Sequence, residues 1–322
     1  MWNLLGMIQR HLALAIPVAL VAGLGFGLLV DPSFLATGIL PLTFLMVFPM
    51  MVSLKVSELA HLGDLRLQGA TQAVNFLAIP ALGWILGLWL FPDRPLVATG
   101  LLLTSLLPTS GMTITWTGLA KGNVPAAVRM TLLGLLLGSL LAPLYLKTLM
   151  GTAIEISIAK VFSQIALTVL LPLVAGLAIR ALLVRKIGIE SFQKSVQPRL
   201  APFSTLGVLG IVFVAMALKA KGIAAHPEQL VSLFAALGLL YGANFALSAY
   251  VGRTFFARAD AIALLYGTVM RNLSIALAIA MSAFGASGPD IALLISLAYI
   301  VQVQMAAWSV KLVPRLFPAP QG

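Results

Sequence analysis

The chain has 322 residues, of which 61% are hydrophobic and only 9% are charged, and its mean hydropathy is +1.06. A soluble globular domain carries roughly 25% charged residues, so this composition excludes a soluble protein and indicates an integral membrane protein. A net charge of +11 would suggest nucleic acid as a partner of a soluble protein. Here the basic residues lie in short loops, where they report membrane orientation, and we expect no nucleic-acid partner.

The first apolar run, "LALAIPVALVAGLGFGLLV", follows Arg10 and resembles a signal peptide. It is roughly 20 residues long, whereas the apolar region of a signal peptide has about 7–15, and no small-x-small cleavage site follows it. We therefore predict that this run is the first transmembrane helix.

About 20 apolar residues are needed to cross the hydrocarbon core of a membrane. The chain contains ten such segments, separated by short breaks that are polar or marked by proline and glycine. We predict an all-α integral membrane protein with ten transmembrane helices. The predicted spans are 10–30, 35–54, 68–91, 95–119, 123–149, 160–184, 201–219, 230–251, 260–285 and 290–314.

Lysine and arginine are unevenly divided between the two sets of alternate loops. The set on the side of both termini holds 13 of these residues, and the opposite set holds 5. Because positive loops stay inside, we predict that both termini are cytoplasmic and that the protein lies in the plasma (inner) membrane, with lipid around it.

The two halves of the sequence resemble each other. "ALVAGLGF" at 19–26 matches "PLVAGLAI" at 172–179, and "VNFLA" around Asn75 matches "ANFAL" around Asn244. Each half holds five predicted spans, so the second copy enters the membrane from the opposite face. Inverted repeats place a binding site near the midplane, on discontinuous helices. The predicted repeats are 1–153 and 154–322.

The fourth span of each half contains the features of a broken helix. In the first half, Pro108 removes a backbone hydrogen bond, Gly111 permits left-handed geometry, and several hydroxyls surround them. In the second half, the ninth span contains Arg271. Unwound backbone is tolerated at membrane depth only inside protein or beside water, so both spans are predicted to line a transport site. A simple proline kink or small-residue packing is the alternative for each. The candidate residues are Pro108, Thr109, Ser110, Gly111, Thr113, Gly267, Thr268, Arg271, Asn272 and Ser274.

The sequences "PTSGMTITWTGLAKGNVPAAVRMTLLG" in spans four and five and "MRNLSIALAIA" in span nine resemble the bile acid–sodium symporter superfamily, which includes relatives of the arsenite-efflux permeases. The resemblance covers essentially the whole chain. It implies a core and a panel domain, crossing of the unwound segments of spans four and nine, and alternating access around that crossing.

The resemblance also implies a site for two sodium ions at the crossing, but this chain departs from it. Oxygen-bearing side chains are kept at Asn75, Thr113 and Thr131, which form the residual ion site. They are lost at Ile114, Ala127, Gly267 and Arg271, and the last two positions hold glutamate and glutamine in the sodium-coupled members. Since a guanidinium repels a cation, we predict that the two-sodium site is degraded. No other cofactor or metal is expected.

Arg271 is costly to bury, by about 2.5–3.5 kcal/mol at the bilayer centre. Our hypothesis is that it supplies the fixed positive charge that sodium supplies in relatives, holds the carbonyl oxygens of the crossing together and could fork onto an anionic substrate. The alternative is that it only pins the unwound segment. Arg129 in span five is a second embedded cation, or else it snorkels toward the cytoplasmic face.

All nine acidic residues map to loops or to the ends of spans, so no embedded carboxylate is available to relay protons. The sequence therefore predicts a secondary active or facilitative transporter of a small organic anion. A sodium-coupled symporter of bile-acid type and an arsenite or metalloid efflux permease stay open, although the chain has no cysteine to bind arsenite. A channel, a structural scaffold and a homodimer are further open alternatives. An enzyme is not expected, because Ser110 and Ser274 have no embedded base.

Overall fold

The computed structural model describes residues 12–54, 64–151 and 158–318, with the side chains of 12, 13, 158 and 160 left undescribed. The predicted start of the first span and the boundary between the two predicted repeats lie outside these ranges. Among the basic residues used for orientation, Arg10 and Lys55 also lie outside them.

The described residues are helical almost throughout. In the first half of the chain the helices are α1 (Leu12–Leu29), α2 (Ile39–Val52), α3 (Leu65–Leu90), α4 (Pro95–Leu106), α5 (Gly111–Leu119) and α6 (Val124–Met150). In the second half they are α7 (158–187), α8 (Ile189–Ala225), α9 (Glu228–Phe255), α10 (Arg258–Val269), α11 (Leu273–Ala283) and α12 (Gly288–Leu316). Short 3₁₀ turns precede α2 (Pro32–Gly38) and α12 (Gly285–Ser287).

Seven helices in the described ranges are long and apolar enough to cross a membrane: α2 with its preceding turn, α3, α6, α7, α8, α9 and α12 with its preceding turn. The helices α1, α4 and α11 are apolar but shorter. These findings establish an all-helical protein with several candidate membrane spans. The total of ten spans and the inverted repeat stay predictions.

Two of the predicted spans are interrupted at the predicted positions. The first interruption lies at the proline, glycine and hydroxyl residues of span four, and the second lies at Arg271 in span nine. Span 95–119 is divided into α4 and α5 by residues 107–110. Span 260–285 is divided into α10 and α11 by residues 270–272. Both interruptions are therefore confirmed as features of the helices.

The chain divides into two compact units, and each takes segments from both halves of the sequence. Of the described residues, unit A takes those in 12–54, 158–229 and 274–296, and unit B takes those in 64–151, 230–273 and 297–318. In unit A, α8 lies along α1 and α2, and α2 also packs against α7. In unit B, α3 lies along α4, and α10 packs against both α5 and α6.

Helix α10 is buried on every side, because all nine residues from 261 to 269 are buried. A helix that is apolar and buried all round occupies the interior of a protein. This environment brings Arg271, two residues beyond its end, to a position where the side chain is only 1% exposed.

Helix α3 contains a π-helical turn, Val74–Ala78, that places Asn75 in the interior. Pro80 follows two residues later and has no N–H, so it cannot bond to the carbonyl of Phe76 four residues before it. The hydroxyl of Tyr145 donates to that carbonyl instead. Such π-turns are frequent at functional sites, and this one carries a predicted site residue.

Candidate functional site at the meeting of two interrupted helices

The two interruptions pair with each other through their backbones. Pro108 and Arg271 face each other in an antiparallel bridge. The N–H of Thr109 donates to the carbonyl of Met270 at 2.7 Å, and the N–H of Asn272 donates to the carbonyl of Leu107 at 2.7 Å. Backbone groups outside a helix must find other partners when they are buried, and here each interruption satisfies the other. The predicted crossing of these two segments is therefore a backbone contact within unit B.

The first interruption is stabilised mainly by its own residues. Thr109 adopts a left-handed backbone conformation with φ of 63°, and its hydroxyl donates to the carbonyls of Pro108 at 2.7 Å and of Thr131 at 3.3 Å. Gly111 would permit left-handed geometry, but the left-handed position is taken by Thr109. Gly111 is the first residue of α5, and the threonine hydroxyl compensates for the strain that a β-branched residue meets at positive φ.

Helix α5 begins with a capping box. The side chain of Ser110 accepts from the N–H of Met112 at 3.3 Å, and the hydroxyl of Thr113 accepts from the N–H of Ser110 at 3.2 Å. These bonds satisfy N–H groups that have no partner in the first turn of a helix. The hydroxyls of Ser110 and Thr113 therefore stabilise the interruption by capping the second half-helix.

The guanidinium of Arg271 donates four hydrogen bonds to neutral oxygens. Nε donates to the carbonyl of Thr104 at 3.3 Å, and Nη2 donates to the carbonyl of Ser105. Nη1 donates to the carbonyl of Thr268 at 3.0 Å and to Oδ1 of Asn75 at 2.7 Å. Because arginine has five N–H donors, the protein itself engages four of them.

Three of these acceptors belong to the last turns of α4 and α10. The last four carbonyls of a helix have no partner within the helix, and the helix dipole places a partial negative charge there. Arg271 is thus a cation at the point where two helix C-termini meet. This arrangement explains how a guanidinium is accommodated at 1% exposure.

The backbone of Arg271 is held by Gln302, a residue of α12. Its amide oxygen accepts from the N–H of Arg271 at 2.8 Å, and its amide nitrogen donates to the carbonyl of Arg271 at 3.2 Å. The hydroxyl of Tyr241 on α9 donates to the same amide oxygen at 2.9 Å. Gln302 and Tyr241 were missed in the sequence. The only available signal was an amide in the middle of an apolar span, "AYIVQVQM".

Two asparagines support the end of α10. Nδ2 of Asn75 donates to the carbonyl of Gly267 at 2.9 Å, and Nδ2 of Asn244 donates to the carbonyl of Thr268 at 2.9 Å. The hydroxyl of Thr268 donates to Ser248, which itself donates to Asn244. Asn244 thus satisfies a backbone carbonyl, and both asparagines of the predicted repeat act on the same helix end.

The "LAKGN" turn connects this region to the start of α6. Lys121 has a left-handed conformation with φ of 59°. The side chain of Asn123 accepts from the N–H of Ala126 and donates to Asp260 at 2.7 Å, so it caps α6 and joins it to the first turn of α10. Arg129 lies in the next turn of α6, is half-buried, and has a buried Nε without a partner in the described part of the chain.

The sequence model described as "Sodium Bile acid symporter family" matches residues 40–226, more than half of the chain. The chain belongs to the sodium bile acid symporter family. The family resemblance is therefore confirmed, and its members are transporters and not enzymes. The protein is accordingly an integral membrane transporter of a small molecule.

Three relatives extend this comparison. The arsenical-resistance protein Acr3 of Corynebacterium glutamicum is 24% identical over 300 residues, which cover 85% of this chain and 78% of that protein. The uncharacterised protein YbaS of Bacillus subtilis is 24% identical over 216 residues, or 66% of this chain and 68% of its own length. An uncharacterised protein of Pseudomonas aeruginosa is 39% identical over 111 residues, or 34% and 33% of the two chains.

Three residues, Asn75, Thr113 and Thr131, were predicted from the family resemblance to form a residual ion site. Oδ1 of Asn75 accepts from Arg271, the hydroxyl of Thr113 accepts from Ser110, and the hydroxyl of Thr131 donates to the carbonyl of Ala127 at 2.8 Å. Each oxygen thus bonds to a different protein group, and one of the three bonds is to a guanidinium. Of the other predicted site residues, Asn272 takes part in the backbone pairing, and Ser274 lies in the first turn of α11.

Proposed function

We propose that this member of the sodium bile acid symporter family is a secondary or facilitative transporter of a small organic anion. In this proposal, Arg271 is the resident cation of the crossing and takes over the role that sodium has in the sodium-coupled members. The observation that carries the proposal is the set of four bonds from Arg271 to the C-terminal carbonyls of α4 and α10 and to Asn75. A cation bound among neutral oxygens is the arrangement that a sodium site would provide.

The charge of Arg271 supports an anionic substrate. Its four partners are neutral oxygens, so within the described ranges the positive charge is spread over dipoles and is not cancelled by a carboxylate. Gly111 at the start of α5 is exposed, and the N-terminus of a helix attracts negative charge. Together, the fixed cation and this helix end favour a carboxylate or another oxyanion over a cation.

In this proposal, Arg271 acts through the electrostatic field of its guanidinium and through the conformation of the two interruptions that its hydrogen bonds maintain. Since four of its five donors are engaged, a bidentate fork onto a substrate would have to break existing bonds. We therefore propose that Arg271 holds the carbonyl oxygens of the crossing together and supplies a fixed positive charge, but does not bind the substrate directly. The direct substrate ligands are then other groups at the crossing, such as the exposed start of α5.

The same proposal includes the membrane features that the sequence predicts, namely ten spans in two inverted repeats and cytoplasmic termini in the inner membrane. It also includes alternating access around the crossing, which the family resemblance implies. Asn75, Thr113 and Thr131 form only a remnant of an ion site, because their oxygens already have protein partners. Transport would then not require sodium, and the homodimer stays open.

Arsenite efflux is the second candidate function, because the relative from Corynebacterium glutamicum is named an arsenical-resistance protein and its match covers 85% of this chain. The absence of cysteine removes the thiolate ligands that would favour arsenite. Expression in an arsenite-sensitive bacterial strain separates the two candidates. Resistance would favour arsenite efflux, and unchanged sensitivity is the outcome that organic anion transport predicts.

The proposed function is tested first by ligand screening and then by flux. Purified protein is melted with a panel of organic carboxylates and with the neutral amide of each, since a ligand of the folded state raises the melting temperature. Any stabilising carboxylate is then followed into proteoliposomes with a sodium gradient, a potassium gradient or neither. We expect stabilisation by a carboxylate but not by its amide, and flux that does not depend on sodium. Flux that strictly requires sodium would contradict the proposal.

A further inference from the structure

Helices α7 and α8 are joined at Gly188, and the segment around this connection is strongly basic. Gly188 has a left-handed φ of 81°, a conformation that glycine adopts without strain. Residues 180–199 contain five basic residues and one acidic residue, Glu190, so the segment has a net charge of +4. Glu190 pairs with Lys194 at 3.6 Å, but the two side chains are 79% and 84% exposed, so this pair contributes little.

The basic segment is part of the folded unit A. The first turns of α8 pack against the end of α7. Phe192 is fully buried there, and the guanidinium carbon of Arg180 lies 5.0 Å from the centroid of its ring. Nη1 of Arg180 also donates to the carbonyl of Ser53, next to the end of α2, at 3.3 Å. The cations beyond Arg180 are thus presented by a packed pair of helices.

The lengths of the apolar runs place this segment at the membrane surface. Helix α7 has no charged residue from 161 to 179, and α8 has none from 200 to 218. Each run has 19 residues, which as a helix span about 28 Å, close to the thickness of the hydrocarbon core. Arg180 and Arg199 therefore mark the same boundary of the core.

The two cations in the last turn of α7 lie at the depth of lipid headgroups. Arg185 is five residues beyond Arg180, which is about 8 Å along a helix. The headgroup region adds roughly 5–8 Å to each side of the hydrocarbon core. Arg185 and its neighbour Lys186 are therefore level with the phosphates of the surrounding lipid.

One face of α7 is exposed from the membrane interior to these cations. Leu171, Val174 and Leu182 are 55%, 66% and 66% exposed. Arg185 and Lys186 are exposed as well and lie three and four residues beyond Leu182, so they continue the same face. Only 28% of the apolar stretch of α7 is buried, the lowest share among the seven candidate spans of the described ranges. An apolar face that ends in two cations has the same order of groups as a phospholipid has from its acyl chains to its phosphate.

The charges at the two ends of α8 differ in how they are compensated. Near its C-terminal end, Lys219 lies 2.5 Å from Asp290. At the other end, Arg185 and Lys186 make no ion pair within the described part of the chain. The dipole of α7 offers them only about half a negative charge. The compensating anion is therefore expected from outside the protein.

We propose that this face of α7, the α7 lipid site, binds an anionic phospholipid. Arg185 and Lys186 hold the lipid phosphate, which a guanidinium can bind in a bidentate manner. An acyl chain packs along Leu182, Val174 and Leu171. The inference does not depend on which substrate is transported.

Native mass spectrometry of the purified, full-length protein in a non-ionic detergent measures the affinity for the first bound lipid. Phosphatidylglycerol carries a net negative charge, and phosphatidylcholine with the same acyl chains is neutral overall and serves as the control lipid. Each basic residue near an anionic lipid contributes about a five-fold gain in affinity, so we expect phosphatidylglycerol to bind about 25-fold more tightly. The preference should shrink at high ionic strength, because exposed charges are screened.

The double substitution Arg185→Gln with Lys186→Gln removes both cations and should lower the affinity for phosphatidylglycerol by about 25-fold. Lys219→Gln with Lys221→Gln is the matched control, because it changes the net charge equally at the other end of α8. Its affinity should stay within about two-fold of wild type. Melting temperatures of both variants verify that they fold, and the comparison of the two lipids on the wild type needs no variant.

Leu182→Asn separates a lipid from free phosphate. It interrupts the apolar face and should weaken phosphatidylglycerol binding by about four-fold or more. Glycerol phosphate, which has no acyl chain, should not displace the lipid at equal concentration.

Three results would overturn the proposal. Equal affinities for the two lipids, or phosphatidylglycerol binding that is unchanged by the double substitution at Arg185 and Lys186, would show that these cations hold no lipid. Displacement by glycerol phosphate at equal concentration would assign them to free phosphate. A dimer that Leu182→Asn dissociates would show that a second copy of the chain covers this face. None of these results bears on the proposed function, which the flux measurement tests separately.

Discussion

The interruption between α4 and α5 is stabilised mostly by hydrogen bonds among its own residues. The interruption between α10 and α11 depends instead on side chains from distant parts of the chain. In the first, Pro108, Thr109 and the Ser110–Thr113 capping box satisfy one another within a few residues. In the second, residues 270–272 contain neither proline nor glycine. Their conformation is held by Gln302 and by the bonds that Arg271 makes to α3 and α4.

This difference indicates which interruption can be encoded locally. A proline removes a helical hydrogen bond and so weakens the helix at its own position, although Pro143 and Pro202 lie inside continuous helices of this chain. A segment without proline leaves the helix only when other groups offer its backbone better partners. The second interruption is therefore the more sensitive of the two to substitutions far from it in sequence.

The largest effect is expected for Arg271→Leu. The substitution leaves the carbonyls of Thr104 and Ser105, in the last turn of α4, without their donor from Arg271, at a cost of about 1–3 kcal/mol for each buried group, and it should lower the melting temperature strongly or prevent folding. Arg271→Lys keeps the charge but loses the fork, and should lie between Arg271→Leu and the wild type. The matched control is Arg129→Leu, since Arg129 is only half-buried and its Nε donates no hydrogen bond within the described part of the chain. Equal melting temperatures for the two leucine variants would contradict the account.

The next effect is expected for Gln302→Leu. It leaves the N–H and carbonyl of Arg271 and the hydroxyl of Tyr241 unpaired, and should destabilise the protein by about 2–3 kcal/mol. Gln304→Leu is the matched control, because Gln304 lies in the same helix but is exposed. Thermal unfolding of both variants in the same detergent measures the difference. If Gln304→Leu costs as much as Gln302→Leu, the contact with Arg271 is not what stabilises the second interruption.

Asn75→Asp separates the charge of Arg271 from its structural role. A carboxylate 2.7 Å from Nη1 would neutralise the guanidinium while still accepting its hydrogen bond. The bond from Nη1 of Arg271 becomes charge-assisted and stronger, whereas the bond from Nδ2 to the carbonyl of Gly267 is lost. Because these two effects oppose each other, we expect little net change in melting temperature. Affinity for a stabilising carboxylate should fall by about ten-fold, because the fixed positive charge is cancelled. Unchanged affinity in a folded variant would show that the charge does not select the substrate.

A smaller effect is expected for Gly134→Ala. Gly134 lies in α6 and contacts the first interruption, so the substitution tests whether α6 supports that interruption. A Cβ at Gly134 would lie 2.5 Å from the hydroxyl oxygen of Thr109 and 3.2 Å from Cγ of Pro108. Such overpacking typically costs about 1–3 kcal/mol. Gly242→Ala is the control, because a Cβ there meets nothing within 4 Å, and it should stabilise α9 by about 0.5–1 kcal/mol. Equal stabilisation in both variants would mean that α6 does not support the first interruption.

The sequence predicted the elements that have local causes. The composition predicted membrane spans, and Pro108 with its hydroxyls predicted the first interruption. Arg271 was recognisable as an anomaly, because a guanidinium in an apolar span needs partners. The family motifs in spans four, five and nine predicted the membership that the sequence comparison then established.

The remaining features could not be predicted, because they depend on contacts between residues far apart in the chain. Gln302 lies 31 residues from Arg271, and Asn75 lies 196 residues from it. Nothing in the local pattern around an amide specifies which carbonyl or guanidinium it will bind. The same reason explains why Thr109, rather than Gly111, adopts the left-handed conformation: its hydroxyl partner Thr131 comes from the next span.

The most direct test of the central claim is the melting temperature of the purified protein, titrated with sodium against potassium at constant ionic strength. A ligand that binds only the folded state stabilises it by about 2.7 kcal/mol at 100 times its Kd, so an occupied sodium site would be visible. Because Arg271 already bonds to the oxygens of the crossing, the account predicts identical curves for the two ions. A rise specific to sodium would mean that a sodium site persists beside Arg271, and would contradict the claim that this arginine is the resident cation.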